Sequence, residues 1–205
     1  MKTKYTLGNI SKTIVRNIVL IAVLTILFGI AGGFYAKHKQ VTTYSNKRDL
    51  LVERTYTGAT ANEEVQADLS LAKTYETILE SNNVASTARK QLPKKIQKKY
   101  SADDIASMTN AVSIPQSLVL EVKVKADSAK DATLITNAVA EASKSELKEL
   151  APSAGTVKLF AKARVSDAES KTTPSAKKYA LAAAAAGLLI GMVVAFSIST
   201  WKHLI

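Results

Sequence analysis

The sequence contains no cysteine in 205 residues. Its absence excludes a disulfide framework, a thiolate zinc site and a cysteine nucleophile. The two histidines, His38 and His203, are far apart in the sequence and have no carboxylate cluster beside them, so they predict no metal site. None of the eight glycines belongs to a G-x-x-x-x-G-K-[ST] phosphate-binding loop. We therefore expect no metal and no cofactor.

Charge is missing from two long stretches. Residues 17–36 are 20 uncharged residues, and residues 179–201 are 23 more. Helices of these lengths would be about 30 and 34 Å long, enough for a hydrocarbon core of about 30 Å. We predict two transmembrane helices. A cleavable signal peptide is the alternative for the first stretch, although its apolar run exceeds the usual length of about 7–15 residues.

The two stretches divide the chain into five segments. We predict an N-terminal arm (1–16), a first transmembrane helix (17–36), a central domain (37–178), a second transmembrane helix (179–201) and a short tail (202–205). The arm has four basic residues and no acidic one, which places both termini in the cytoplasm and the central domain outside the cell. The central domain carries 23 Lys and Arg against 17 Asp and Glu, and this surplus of six favours anionic neighbours.

The apolar pattern of the central domain alternates between strand and helix periods, which predicts an α+β fold with helices packed on a small sheet. A strand–helix–strand unit spanning residues 117–165 favours a parallel pair of strands joined by a crossover. The polar segment 166–178 is interpreted as a tether to the second transmembrane helix. The expected strands lie in 40–56, 117–126 and 157–165, and the expected helices lie in 62–81, 84–92, 101–108 and 127–150.

Two pairs of adjacent carboxylates, Glu63 with Glu64 and Asp103 with Asp104, are the only candidates that we consider for acid–base catalysis. Both pairs fall at predicted helix starts, where acidic side chains stabilise the helix dipole. Ser101 and Asp104 have the spacing of a capping box. The capping interpretation is favoured, and we expect no enzymatic activity.

A basic run lies in the stretch RKQLPKKIQKKY, residues 89–100. It is interpreted either as a solvated surface or as a contact for phosphate or an anionic polysaccharide. Tyr100 alone offers too little aromatic surface for a nucleic-acid platform, so we expect no nucleic-acid partner. The six cations of this basic run are Arg89, Lys90, Lys94, Lys95, Lys98 and Lys99.

Small residues recur at every fourth position of the second apolar stretch and therefore line one helix face. Small side chains let two helix backbones approach closely within a membrane. The partner would be the first apolar stretch, with Gly29 and Gly33, or another copy of the chain; the alternative is that glycine and alanine are simply common in such helices. The predicted association face consists of Ala183, Gly187, Gly191, Ala195 and Ser199.

Several motifs, taken in order, resemble those of the Wzz-type chain-length determinants, or polysaccharide co-polymerases, in their short Gram-positive form. Residues 67–92 contain a Thr74-Tyr75 pair followed by an S-x-x-V turn. Residues 118–142 are similar to the family's strand, D-x-x-x-A turn and helix with an A-N-A element. At the end of the chain, Pro174 precedes two lysines and a glycine-containing apolar stretch that reaches Phe196.

The resemblance implies a non-enzymatic membrane protein that regulates the length or export of capsular polysaccharide or exopolysaccharide. It also implies a homo-oligomer, a polymerase acting on lipid-linked polysaccharide, and a separate cytoplasmic tyrosine kinase as partners. This chain departs from the family in having only Pro174 before the second apolar stretch and in its short ending, WKHLI, which is little surface for a kinase. A two-span sensor or receptor that binds an extracellular ligand is the alternative function.

Overall fold

The computed structural model describes residues 15–53 and 61–201, and the chain divides into two compact units. The first unit comes from both ends of the chain, residues 1–41 and 172–205, and the second comprises residues 42–171. The second unit combines helices with a small sheet. This arrangement confirms the predicted α+β fold with an apolar helix towards each end of the chain.

The first unit contains two long helices, α1 (Ile18–His38) and α7 (Ala176–Trp201). Both are long and apolar enough to cross a membrane. Much of their apolar surface is not covered by protein; Val19, for example, is 73% exposed and Leu181 is 74% exposed. Helix α7 begins three residues before the predicted stretch, so that Lys177 and Lys178 lie in its first turn.

The second unit is built around a five-stranded sheet in which β1 is by far the longest strand. The four main strands are ordered β2-β3-β1-β4, and β5 also pairs with β1. Leu50 of β1 lies opposite Leu120 of β3 and Leu159 of β4, and both pairings are antiparallel. The strands are β1 (Val41–Glu53), β2 (Thr109–Ser113), β3 (Val119–Ala126), β4 (Thr156–Leu159) and β5 (Glu169–Thr173).

Among the described residues of this unit, five helices accompany the sheet and bury one of its faces. The strand expected in 117–126 is confirmed as β3, and its residues Leu120, Val122 and Val124 are all buried, as are Leu50 and Val52 of β1. The longest helix packs against this face and contributes apolar side chains to the core. The helices are α2 (Ala61–Leu79), α3 (Asn82–Gln91), α4 (Lys94–Lys99), α5 (Ala102–Met108) and α6 (Ala129–Leu150), with 3₁₀ turns at Pro152–Ala154 and Val165–Asp167.

The predicted capping box at the start of α5 is confirmed. The Ser101 hydroxyl accepts a hydrogen bond from the Asp104 amide at 3.1 Å, and the Asp104 carboxylate accepts one from the Ser101 amide at 2.8 Å. Hydrogen bonds from the Ser101 amide and hydroxyl to its carboxylate lower the pKa of Asp104. The carboxylate of Asp104 is thus occupied in holding a helix end.

The prediction that β3 and β4 form a hydrogen-bonded parallel pair is wrong. Strand β1 lies between them and pairs antiparallel with each, so β3 and β4 run parallel without touching as a pair. The third predicted strand ends at Leu159 instead of continuing to residue 165. Strands β2 and β5 were not predicted, since each has only five residues and little apolar alternation. The predicted tether, 166–178, contains β5 and the start of α7.

Helix α2 covers the outer edge of β2 with two carboxylates. Glu76 accepts a hydrogen bond from the Ser113 amide at 2.6 Å, and Glu80 accepts one from the Ala111 amide at 2.8 Å. Four helical residues rise about 6 Å and two strand residues about 6.6 Å, so carboxylates one turn apart match alternate strand amides. An edge strand covered in this way is closed to pairing with another chain.

We predict that Glu76→Gln loosens this edge. Hydrogen bonds from Lys73 and Ser113 lower the pKa of Glu76 from 4.5 to about 2. Hydrogen bonds to a charged group contribute about 1.5–3 kcal/mol, so the β2 amides of the variant should exchange hydrogen at least ten-fold faster at pH 7. The measurement is hydrogen–deuterium exchange of the full-length protein.

The stabilisation that Glu76 contributes depends on pH, and the sign of this dependence follows from its pKa. Because the folded-state pKa of Glu76 is lowered, its stabilisation is complete above about pH 4.5 and is lost as the pH falls towards 2. The difference in β2 amide exchange rate between Glu76→Gln and the unmodified protein should therefore become smaller as the pH falls from about 4.5 towards 2. Glu63→Gln, an exposed position on the same helix, is the control. An equal effect of both substitutions would contradict the edge role.

Candidate functional site

Glycines allow α7 to lie backbone-to-backbone against α1. A Cβ atom placed on Gly187 would lie 2.7 Å from Phe28 Cβ and 2.9 Å from the Leu24 carbonyl oxygen. One placed on Gly191 would lie 3.1 Å from Ile21 Cα. Both glycines are buried, as is Ala195, one turn further along. No larger side chain fits at Gly187 or Gly191 without moving the two helices apart.

The contact continues from the side of α1. A Cβ atom on Gly29 would lie 3.3 Å from Ala184 Cβ, and one on Gly33 would lie 3.4 Å from Ala180 Cβ. Gly32 faces Ala183 in the same way. We call this contact the glycine seam: Gly29, Gly32 and Gly33 of α1 and Ala183, Gly187, Gly191 and Ala195 of α7. Ser199, the last residue of the predicted face, is half-buried.

The structure thus brings the small-residue face of α7 together with the first apolar helix of the same chain. This arrangement is one of the two that the sequence left open. Association with another copy of the chain stays a prediction.

Two of the six cations in the basic run have structural partners. Arg89 donates to the carbonyl oxygens of Tyr100, at 3.0 Å, and Gln97, at 2.7 Å. It therefore holds the end of α3 to α4. Lys99 lies 2.8 Å from Asp131 and 4.8 Å from the centre of the Tyr100 ring. Its hydrogen bond to Asp131 raises the pKa of Lys99. Burial by itself would raise the pKa of Asp131, but the hydrogen bond and charge of Lys99 outweigh burial and lower this pKa.

The other four cations of the basic run are exposed and accessible to a ligand. Lys90, Lys94, Lys95 and Lys98 are exposed, and none forms an ion pair within residues 15–53 and 61–201. They lie at the end of α3 and on α4, so they are close in sequence and belong to one short helical corner. We refer to these four residues as the free lysines.

The acidic pairs do not form a site. Asp103 accepts a hydrogen bond from Asn82 at 2.7 Å, and Asp104 belongs to the capping box. Glu63 and Glu64 lie in the first turn of α2. Within the described ranges, no three His, Asp or Glu residues are grouped so as to hold a metal ion.

Most of the motif residues in the central unit that resemble the family are buried or hydrogen-bonded. Tyr75 is buried in the core while Thr74 is exposed. Ser81 caps α3, and Val84, three residues later, is completely buried. Asn137 exchanges two hydrogen bonds with the backbone of Ala163, both 3.0 Å long. The S-x-x-V turn is therefore a helix cap followed by a core residue.

The last motif lies in the first unit. The Pro174 carbonyl oxygen accepts a hydrogen bond from Gln40 Nε2 at 3.1 Å, which links the residues just outside the two long helices. Phe196 lies one residue after Ala195 on α7 and is half-buried.

Two long apolar helices separated in sequence by an α+β unit are consistent with a membrane protein. The family model of Wzz, chain length determinant protein, matches residues 4–92. This match covers α1, β1, α2 and α3, and it confirms the resemblance to the Wzz-type chain-length determinants. The role that this family implies is chain-length determination in polysaccharide biosynthesis. No curated protein matches the chain.

We predict that the glycine seam forms within one chain. A disulfide requires Cβ atoms about 3.5–4.5 Å apart, and the Gly33–Ala180 pair comes close to this range at 3.4 Å. Since the protein has no cysteine of its own, Gly33→Cys combined with Ala180→Cys should oxidise efficiently and leave a monomer on a non-reducing gel. Protease cleavage in the central unit should then yield two fragments that separate only after reduction.

The control replaces Ala180→Cys by Ala186→Cys, which lies on an exposed face of α7. A disulfide-linked dimer from the Gly33–Ala180 pair would contradict pairing within one chain and favour pairing between copies.

Proposed function

We propose that this protein is a non-enzymatic polysaccharide co-polymerase that regulates the chain length of a capsular polysaccharide or exopolysaccharide. The observation that carries the proposal is the Wzz family match over residues 4–92, a segment that includes the first apolar helix and continues into the central unit. In this proposal α1 and α7 cross the cell membrane, both termini are cytoplasmic, and the central unit lies outside.

The exposed apolar surface of the helix pair supports membrane insertion. Ile18, Phe34 and Val193 are each more than half exposed, and so is Leu181. Water would solvate such a surface unfavourably, at about 25 cal/mol per Å² of apolar area, whereas lipid chains cover it without this cost. The glycine seam also supports retention of α1 over removal as a signal peptide, because α7 has a face fitted to it.

The mechanism that we propose depends on assembly. Several copies form a ring in the membrane, and the outward central units limit how long a polymerase stays engaged with its lipid-linked chain. A separate cytoplasmic tyrosine kinase contacts the cytoplasmic ends of the chain and is modulated by the assembly. The paired carboxylates that are candidates for catalysis lie in the first turns of α2 and α5, where acidic side chains stabilise a helix. This placement is consistent with a regulatory role.

We predict that removing the protein broadens or shifts the size distribution of the surface polysaccharide while synthesis of the sugar precursors continues. Restoring the protein should restore the distribution. Restoring it as Gly191→Leu should fail, because a leucine at this position meets the backbone of α1 at Ile21. Overpacking of this kind costs about 1–3 kcal/mol.

Gel filtration of the purified polysaccharide, together with immunoblotting for protein level, makes the comparison. Ala186→Leu adds the same side chain to an exposed face of the same helix and should restore the normal distribution. An unchanged polymer size in cells that lack the protein would overturn the proposed function. A fall in phosphorylation of a partner kinase without a change in polymer size would make kinase modulation the primary role.

We further propose that the free lysines contact an anionic partner, either acidic polysaccharide or lipid-linked phosphate. Replacing all four by glutamine should weaken binding to polygalacturonate at least ten-fold, because each exposed charge adds favourable long-range attraction. Stability should be unaffected, since these side chains have no protein partner in the described part of the chain. Biolayer interferometry on protein in neutral nanodiscs provides the measurement.

The matched control removes four other exposed lysines of the central unit, Lys125, Lys130, Lys144 and Lys148. Net charge changes equally in both variants. An equal loss of binding would show that net charge alone attracts the polymer and would contradict a localised contact.

A further inference from the structure

The second unit contains a cleft that none of the predicted site residues lines. It has a volume of about 320 Å³ and lies along β1, where β4 has ended and the chain turns away. Its walls come from β1, from Lys123 of β3 and from the loop after β4. We call it the β1 cleft; its lining includes Lys47, Asp49, Phe160, Lys162 and Glu169. This volume lies at the lower end of the range of about 300–1,000 Å³ that is usual for small-molecule sites.

The loop that forms one wall of the β1 cleft is held by buried side chains. Arg48 donates to the Phe160 carbonyl oxygen at 3.1 Å, and Asn46 donates to that of Arg164 at 2.7 Å. Asn137 of α6 holds the backbone of Ala163 between them. Asn46 and Arg48 are only 3% and 6% exposed. The wall is therefore fixed before any ligand arrives, which lowers the cost of binding.

Asp49 and Phe160 lie side by side on the sheet face away from the helices. The Phe160 amide donates to the Asp49 carbonyl oxygen at 3.0 Å, which continues the β1–β4 register by one pair. Directly paired residues project their side chains from the same face. Phe160 is 50% exposed. One carboxylate oxygen of Asp49, Oδ1, is covered and receives no hydrogen bond within the described part of the chain.

The charges in the β1 cleft are largely balanced. Lys47 pairs with Glu121 at 2.7 Å, Lys123 with Glu169 at 3.1 Å and Arg48 with Glu141 at 3.0 Å. Lys162 forms no ion pair with a described residue and adds one donor to the lining of the β1 cleft. The cleft thus offers an acceptor, a donor and an aromatic face, but no concentrated positive charge for a polyanion.

We propose that the β1 cleft binds a neutral saccharide unit, with its C–H face packed on Phe160 and its hydroxyls donating to Asp49. Only Oδ1 of this carboxylate is covered, so a sugar hydroxyl in the cleft can donate to Oδ2, which accepts no hydrogen bond from a described residue. Lys162 donates to a neighbouring oxygen of the sugar. This inference rests on the proposed function only for the choice of sugars as ligands; its observations are those of the cleft itself.

The test uses the full-length protein in lipid nanodiscs, prepared without glycoside detergents, because their sugar head groups would compete. Saturation-transfer NMR is recorded with a panel of neutral methyl glycosides: glucoside, galactoside, mannoside, rhamnoside and N-acetylglucosaminide. We expect transfer to at least one of them. Phe160→Leu, which keeps apolar volume but removes the ring, and Asp49→Asn should each weaken that binding at least ten-fold.

Asp103→Asn, an exposed carboxylate on a different part of the central unit, should bind like the unmodified protein. If Asp49→Asn fails to fold, Phe160→Leu carries the test. Absence of transfer to every glycoside, equal binding by all variants, or preferential binding of inorganic phosphate would overturn the saccharide assignment. None of these results would alter the polymer-size assay on cells lacking the protein, so failure of the cleft and failure of the proposed function remain distinguishable.

Discussion

Strand β1 is the constraint on which the central unit depends. It is 13 residues long and is hydrogen-bonded along both edges, to β3 on one side and to β4 on the other, and it also pairs with β5. One of its faces supplies Leu50 and Val52 to the core. Without β1, the strands on its two sides would have no common partner, because β3 and β4 do not pair with each other.

The same strand distributes buried polar groups in a way that fixes the loop after β4. Arg48 is buried but paired with Glu141 of α6, and its Nε donates to the Phe160 carbonyl oxygen. Asn46 also bonds to Thr133 of α6 at 2.8 Å. Buried polar groups are stable only when their hydrogen bonds are satisfied, so strand, helix and loop must be placed together. The wall of the β1 cleft is a consequence of this requirement.

The two units follow two different rules of packing. In the central unit, large apolar side chains are buried between helices and sheet. In the helix pair, large apolar side chains point outwards and the smallest residues, Gly187 and Gly191 among them, form the contact. A contact that buries little apolar surface is expected where the surrounding medium is itself apolar, because close backbone packing is then the main source of attraction.

This difference explains what the sequence revealed and what it did not. Long uncharged stretches are local signals, and they predicted both long helices. The interval of four between small residues is also a local signal, and Gly187 and Gly191 from this pattern lie against α1. The strand in 117–126 and the capping box at Ser101 also depend on local signals, and both were predicted correctly. Strand order was not predictable, because the insertion of β1 between β3 and β4 depends on contacts between residues more than 60 positions apart.

The polar residues of β1 show the same limit at the level of sites. The stretch SNKRD, residues 45–49, has no spacing that distinguishes Asn46 and Arg48, which hold a loop, from Asp49, which lies beside an aromatic ring on the opposite face. Only the register with β4 brings Phe160 next to Asp49. The basic run was conspicuous in the sequence, yet two of its six cations, Arg89 and Lys99, serve the fold. Charge density therefore identified the candidate surface, while the fold decided which of its charges are available to a partner.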